Sequence, residues 1–162
     1  MTMSTTDYET QIIVDPDVPL VRITREFDAP PEKVFRAHAD PELFARWIGP
    51  DSMTTRIEEH DCRTGGAWRY TMERDGFEAG FHGSFHDVVP NELIVQTFTY
   101  DGVPDGVALE KLHLEDLGDG RTRLTATSLV DSFEGRDAFV ASGMESGVVE
   151  GYRKLDALLA EG

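Results

Sequence analysis

Residues 131–161, DSFEGRDAFVASGMESGVVEGYRKLDALLAE, decide how the rest of the chain is read, because they form the one segment long and periodic enough to be a major helix. Val140, Met144, Val148, Tyr152, Leu155 and Leu159 recur at helical spacing and form one apolar stripe. Ser132 is placed to cap the start, with Glu134 and Asp137 in or near the first turn and Arg153 and Lys154 towards the other end, as the helix dipole favours. Gly143, Gly147 and Gly151 lie four apart beside the stripe. Each costs about 1 kcal/mol relative to alanine in a helix interior, so something must compensate. Either the helix packs closely on a sheet, or the missing side chains leave room for a ligand beside Met144 and Val148.

The remainder supplies that sheet. From Met53 to Val130 the apolar period is two, with turn signals at Thr64-Gly65-Gly66, Asp75-Gly76, Pro90-Asn91, Asp101-Gly102 and Gly118-Asp119-Gly120. These signals divide the region into six strands joined by hairpins. Trp68, Tyr70 and Met72 share a face, as do Phe81 and Phe85, then Ile94, Gln96 and Phe98, then Ala108, Glu110, Leu112 and Leu114, then Leu124, Ala126 and Ser128. Upstream, Val21, Ile23 and Phe27 predict one more strand. Pro31 and Asp40-Pro41 then open two short helices, one with Val34, Phe35 and His38 on its apolar face, the other with Leu43, Phe44 and Trp47.

The order predicts an α+β helix-grip fold: a curved, seven-stranded antiparallel sheet wrapped around a long C-terminal helix, with two short helices after the first strand. A one-sided antiparallel sheet has to cover its apolar face, and a helix of about 40 Å, at about 1.5 Å per residue, is long enough to do so. A cavity between the two is expected. Residues 1–17, polar and carrying Pro16, are expected to be a flexible arm, and 18–162 a single domain.

Composition narrows the function. The net charge of −16 over 162 residues argues against nucleic acid and anionic membrane surfaces. No apolar run reaches the roughly 20 residues of a membrane span, and the N-terminal stretch has no signal-peptide character, so a cytoplasmic location is expected. Cys62 is the single cysteine, expected as a small hydrophobe rather than a nucleophile. His82 and His86 are about 13 Å apart along a strand, too far to share an ion, and His60 with Cys62 has no evident further ligands. No metal and no cofactor are expected. No serine sits in a nucleophile elbow, and Gly65-Gly66 lacks the phosphate-loop pattern. Asp61 and Arg63 share a face beside that turn and are expected to pair.

Five segments together resemble the START-like, Bet v 1-like (SRPBCC) superfamily, and within it the domain similar to the C-terminal part of the activator of Hsp90 ATPase. They are VRITREFDAPPEKVFRAHADPELFARWIGP, DCRTGGAWRYTM, FHGSFHDVVPNELIVQTFTYDG, GDGRTRLTATS and ASGMESGVVEGYRKLDALL. The resemblance runs from about residue 20 to the end and implies the helix-grip fold with a cavity for an apolar molecule. Relatives often carry Trp where this chain has Val148, which implies a different and larger pocket here.

The expected ligand-binding residues are Trp47, Trp68, Tyr70, Phe81, Phe85, Phe98, Glu110, Met144, Val148 and Tyr152, most of which are equally suited to plain core packing. Glu110 is the candidate catalytic residue. A carboxylate facing an apolar interior is desolvated and has its pKa raised towards neutrality; one near the strand's open end meets water or an arginine instead. The leading expectation is a domain that encloses a small, largely apolar molecule. The alternatives are a cyclase- or hydrolase-like enzyme using Glu110, with Tyr70 or Tyr152 as hydrogen-bond donor, and a protein-interaction module of the Hsp90-activator type. A homodimer through sheet edges or through Phe44 and Trp47 is left open.

Overall fold

The structure is a computed structural model that describes residues 8–161. Its sheet has eight antiparallel strands in the order β1-β2-β8-β7-β6-β5-β4-β3. They are β1 (Gln11–Val14), β2 (Leu20–Phe27), β3 (Thr54–His60), β4 (Ala67–Arg74), β5 (Phe77–Val89), β6 (Leu93–Tyr100), β7 (Ala108–Gly118) and β8 (Arg121–Leu129). The six strands from β3 to β8 fall between the turn signals of the sequence. Helices α1 (Pro31–Ala39) and α2 (Pro41–Trp47) follow β2, and α3 (Phe133–Ala141) and α4 (Met144–Leu159) end the chain.

The expected seven strands become eight because Gln11–Val14, within the stretch expected to be a flexible arm, pairs with β2 from Gln11↔Thr24 to Val14↔Val21. A four-residue strand has too little pattern to be read locally. Residues 1–7 of that arm lie outside the described residues.

The expected single helix over 131–161 is two helices. Ser132 caps the first as its residue type predicts, its Oγ accepting from the Gly135 amide at 2.9 Å. The break falls at Ser142-Gly143, where Gly143 has φ +91°, and the Ser142 amide and hydroxyl both donate to the Phe139 carbonyl. A glycine in the left-handed region is the usual helix stop, so Gly143 ends α3 rather than thinning a continuous helix. Helix α4 is therefore about 24 Å long at about 1.5 Å per residue.

Gly151 has a different explanation: a Cβ there would lie 3.1 Å from the Trp47 carbonyl oxygen and 3.6 Å from the Gly49 amide. It permits close packing, on the end of α2 rather than on the sheet.

Two apolar clusters fill the interior. One gathers Val21, Ile23, Phe27, Val34, Trp47, Leu114, Leu124, Tyr152, Leu155, Leu158 and Leu159 around the C-terminal half of α4. The other gathers Trp68, Tyr70, Met72, Phe85 and Ile94 on β4 to β6. Arg25 lies on the inward face of β2 and is buried, donating to Asp156 of α4 at 2.9 and 2.6 Å. Lys33 of α1 donates to the Leu159 carbonyl at 2.6 Å. These two contacts tie the end of α4 to β2 and α1.

Candidate functional site

Antiparallel registry lines up one polar row across the inner face: Gln96 on β6 lies opposite Glu110 on β7, and Glu110 opposite Ser128 on β8. The Gln96 amide Nε2 donates to Glu110 Oε1 at 3.2 Å, and the Ser128 hydroxyl donates to Oε2 at 3.2 Å. No cation pairs with Glu110 among the described residues. Burial pushes its pKa up to about 7, against the two hydrogen bonds, which pull it down. The carboxyl group thus faces the interior, not an arginine, and it takes up or gives up a proton near neutrality.

Beside this row runs an aromatic ladder. Trp68 stacks on Tyr70 at 5.3 Å between centroids, Tyr70 meets Phe81 at 5.4 Å, and Phe81 meets Phe98 at 5.4 Å. The strand bearing Phe81 comes very close to its neighbour here. A Cβ on Gly83 would lie 1.9 Å from the Thr97 carbonyl oxygen and 2.7 Å from Trp68 Nε1, so this position has no room for a side chain.

From the opposite wall, α4 contributes Met144 and Val148, both half-buried, and Tyr152, which is buried edge-on against Phe27 at 5.3 Å. Burial first, and the Glu110 charge second, raise the pKa values of both Tyr70 and Tyr152, so both phenols stay protonated. Phe98, Glu110, Leu112 and Ala126 on the sheet are half-buried as well.

The ten expected ligand-binding residues do not all meet at this place. Trp47 belongs to the sealed cluster: it is 3% exposed, donates its indole N–H to the Ala37 carbonyl at 2.9 Å, and packs against His38 and Phe44. Its role is to pin α2 to α1. Phe85, also 3% exposed, packs edge-on to His60 at the far end of the second cluster. Gln96 and Ser128 are the partners of Glu110 and were not among the expected site residues. Strand alternation puts both on the apolar face, but their adjacency to Glu110 depends on registry.

Two surface concavities lie elsewhere. One, of about 420 Å³, is lined by Pro41, Glu42, Ala45 and residues 57–60. The other, of about 300 Å³, is lined by Tyr8, Glu9, Thr10, Arg25, Val149 and Arg153.

Several other side chains have structural partners. The expected Asp61 and Arg63 pair forms, with Arg63 Nε 2.9 Å from the carboxylate on an exposed turn. Cys62 is half-buried on the second cluster, and burial, helped by Asp61, pushes its thiol up to about 11, which keeps it protonated. His82 pairs with Asp101 at 2.8 Å. His38 is buried beside Trp47, and desolvation lowers its pKa to about 4. His60 Nε2 sits 2.8 Å from the His38 carbonyl oxygen. No described helix is long and apolar enough to cross a membrane.

Solved structures share this architecture. A Chromobacterium violaceum protein is 29% identical over 86% of this chain and 96% of its own, with a TM-score of 0.75. A Rhodobacter sphaeroides protein is 28% identical over 94% and 99%, with a TM-score of 0.84. An Arthrobacter aurescens protein is 28% identical over 94% and 92%, with a TM-score of 0.85. No curated protein matches significantly. The family model described as "Activator of Hsp90 ATPase homolog 1-like protein" matches residues 28–160, most of the chain. With the sheet, the helix pair after β2 and the C-terminal helix all in place, the chain belongs to the Activator of Hsp90 ATPase homolog 1-like family.

Proposed function

We propose that the domain binds a small, largely apolar molecule between the inner face of β4 to β8 and the N-terminal half of α4. One observation carries this reading. Phe98, Glu110, Leu112 and Ala126 on the sheet and Met144 and Val148 on the helix all remain half-buried, although they belong to the faces that the fold turns inward. Side chains that filled the space between them would bury one another, as interiors pack with few voids. An apolar wall with a few convergent polar groups is the usual make-up of a small-molecule site. Here the apolar part is Trp68, Tyr70, Phe81, Phe98, Met144 and Val148, and the polar part is the Gln96–Glu110–Ser128 row.

Native mass spectrometry of the purified protein, followed by denaturation and identification of what is released, tests this. The expected result is an adduct of one apolar molecule per chain that disappears on unfolding. A bare protein mass, together with no binding of any apolar probe, contradicts the proposal.

A second reading is favoured by Glu110 alone. A carboxyl group with a pKa of about 7 is suited to general acid–base catalysis at neutral pH. Turnover of the released molecule that follows a titration near pH 7 and vanishes in Glu110→Gln would establish an enzyme. Unchanged turnover in that variant would exclude Glu110 as its acid or base.

A further inference from the structure

Tyr70 on β4 and Tyr152 on α4 both lie close enough to Glu110 for its charge to act on their hydroxyls, and both are closed in by other rings. Tyr70 lies between Trp68 at 5.3 Å, Phe81 at 5.4 Å and Phe44 at 5.8 Å. Tyr152 is held by Phe27 at 5.3 Å and Trp47 at 5.9 Å. The two residues keep only 5% and 7% of their surface. Ring packing of this kind fixes where each hydroxyl points.

Neither hydroxyl forms a hydrogen bond with a described residue. The sealed polar atoms without a partner among the described residues are His60 Nδ1, Trp68 Nε1 and Arg121 Nε, and neither tyrosine oxygen is one of them. The two hydroxyls are therefore unpaired yet still accessible, on rings that are otherwise enclosed. An accessible donor without a protein partner is open to an acceptor from outside the chain, water or a ligand. Glu110 does not fill that role: its hydrogen bonds come from Gln96 and Ser128, and it acts on the two phenols only through its charge.

Resting on the ligand-site reading above, we infer that the bound molecule is uncharged and carries an oxygen acceptor at its polar end, of the ketone or ester carbonyl class, which receives the Tyr70 and Tyr152 hydroxyls. The chemistry of the surroundings agrees. Both phenols are kept protonated, so they donate. Glu110 is disposed to take a proton rather than hold a cationic partner. A carbonyl oxygen has two lone pairs, one for each hydroxyl, and the apolar remainder of the molecule lies against Phe81, Phe98, Met144 and Val148.

Three probes of one shape separate the outcomes: 2-acetylnaphthalene, which has the acceptor; 2-isopropylnaphthalene, which lacks it; and 1-(2-naphthyl)ethylamine, which is cationic. Their dissociation constants are measured on the wild type, Tyr70→Phe, Tyr152→Phe and Glu110→Gln, with circular dichroism and thermal melting as checks on folding. Each Tyr→Phe change is expected to weaken the ketone roughly fivefold, the size of one hydrogen bond, while shifting the hydrocarbon less than about twofold. Equal losses for ketone and hydrocarbon would overturn the inference, because the tyrosines would then contribute packing alone. So would an amine that binds most tightly and loses affinity in Glu110→Gln. If none of the three binds the wild type, the ligand site itself fails and the inference with it; the first two failures leave the site standing.

Discussion

Around Leu155 the interior is closed: Val21, Phe27, Val34, Leu124 and Leu155 keep 0% of their surface. Around Glu110, on the same sheet and under the same helix, Phe98, Leu112, Ala126, Met144 and Val148 stay half-buried. The two regions use the same kinds of residue, so hydrophobicity does not separate them. Anchoring does. The C-terminal half of α4 is fixed by Arg25 on Asp156 and by Lys33 on the Leu159 carbonyl, and its middle by the close approach of Gly151 to Trp47 and by the Asp51 amide on Glu150. The first turns begin at Gly143 without a side-chain cap, after an α3 whose only buried residue is Arg136. One helix thus has a fixed end and a lightly held end, and the candidate site lies at the second. Binding regions are generally drawn from the less stable part of a fold.

The contrast predicts a gradient of mutational effects. Leu155→Ala, in the closed region, is expected to destabilise most, by about 4 kcal/mol in urea unfolding, through the lost contacts and the cavity left behind. A loss below about 1 kcal/mol would mean that this region is not sealed. Asp156→Ala comes next, at about 3 kcal/mol, because it strands the Arg25 guanidinium, whose side chain is 1% exposed. The double variant Arg25→Met with Asp156→Leu should recover most of that loss, which would separate a stranded charge from lost packing.

The half-open region should respond to pH instead. The folded pKa of Glu110 is raised to about 7 from 4.5, so the folded state binds the extra proton between these values. Its contribution to stability is complete below about pH 4.5 and is lost as pH rises through 7. Glu110→Gln lacks this loss. Relative to the wild type the variant should therefore gain on the order of 2 kcal/mol between pH 4.5 and 8, reduced from the full shift because the side chain is half-buried. A difference between the two proteins that does not change with pH would place Glu110 in water. The smallest effect is expected for Val148→Ala, at about 1 kcal/mol or less, because a half-buried side chain leaves little new void. A loss as large as that of Leu155→Ala would remove the distinction between the regions.

Much of the fold was legible because its signals are local. Turn residues bounded β3 to β8, Pro31 and Asp40-Pro41 opened α1 and α2, and Ser132 capped α3. The apolar stripe from Val140 to Leu159 concealed the break at Gly143, since periodicity continues across a helix stop when two successive helices face the same core. Arg25 was hidden for a related reason: an inward arginine is readable only once its partner Asp156, 131 residues away, is known. At the candidate site, alternation on one strand was enough to turn Glu110 inward. The Gln96–Glu110–Ser128 row required the registry of three strands, and the sealed state of Trp47 required the position of α4 over α2. Pairwise placement of this kind is set by tertiary packing, which a single sequence does not display.

On the proposed function, the region around Glu110 keeps space for a molecule while the region around Leu155 does not. A high-resolution crystal structure of the protein as purified tests this most directly, through the density bounded by Phe98, Glu110, Met144, Val148 and Tyr152. Ordered density is expected there, a bound molecule or water, with nothing comparable near Leu155. Side chains in van der Waals contact across that space, with no room for a ligand, would contradict it.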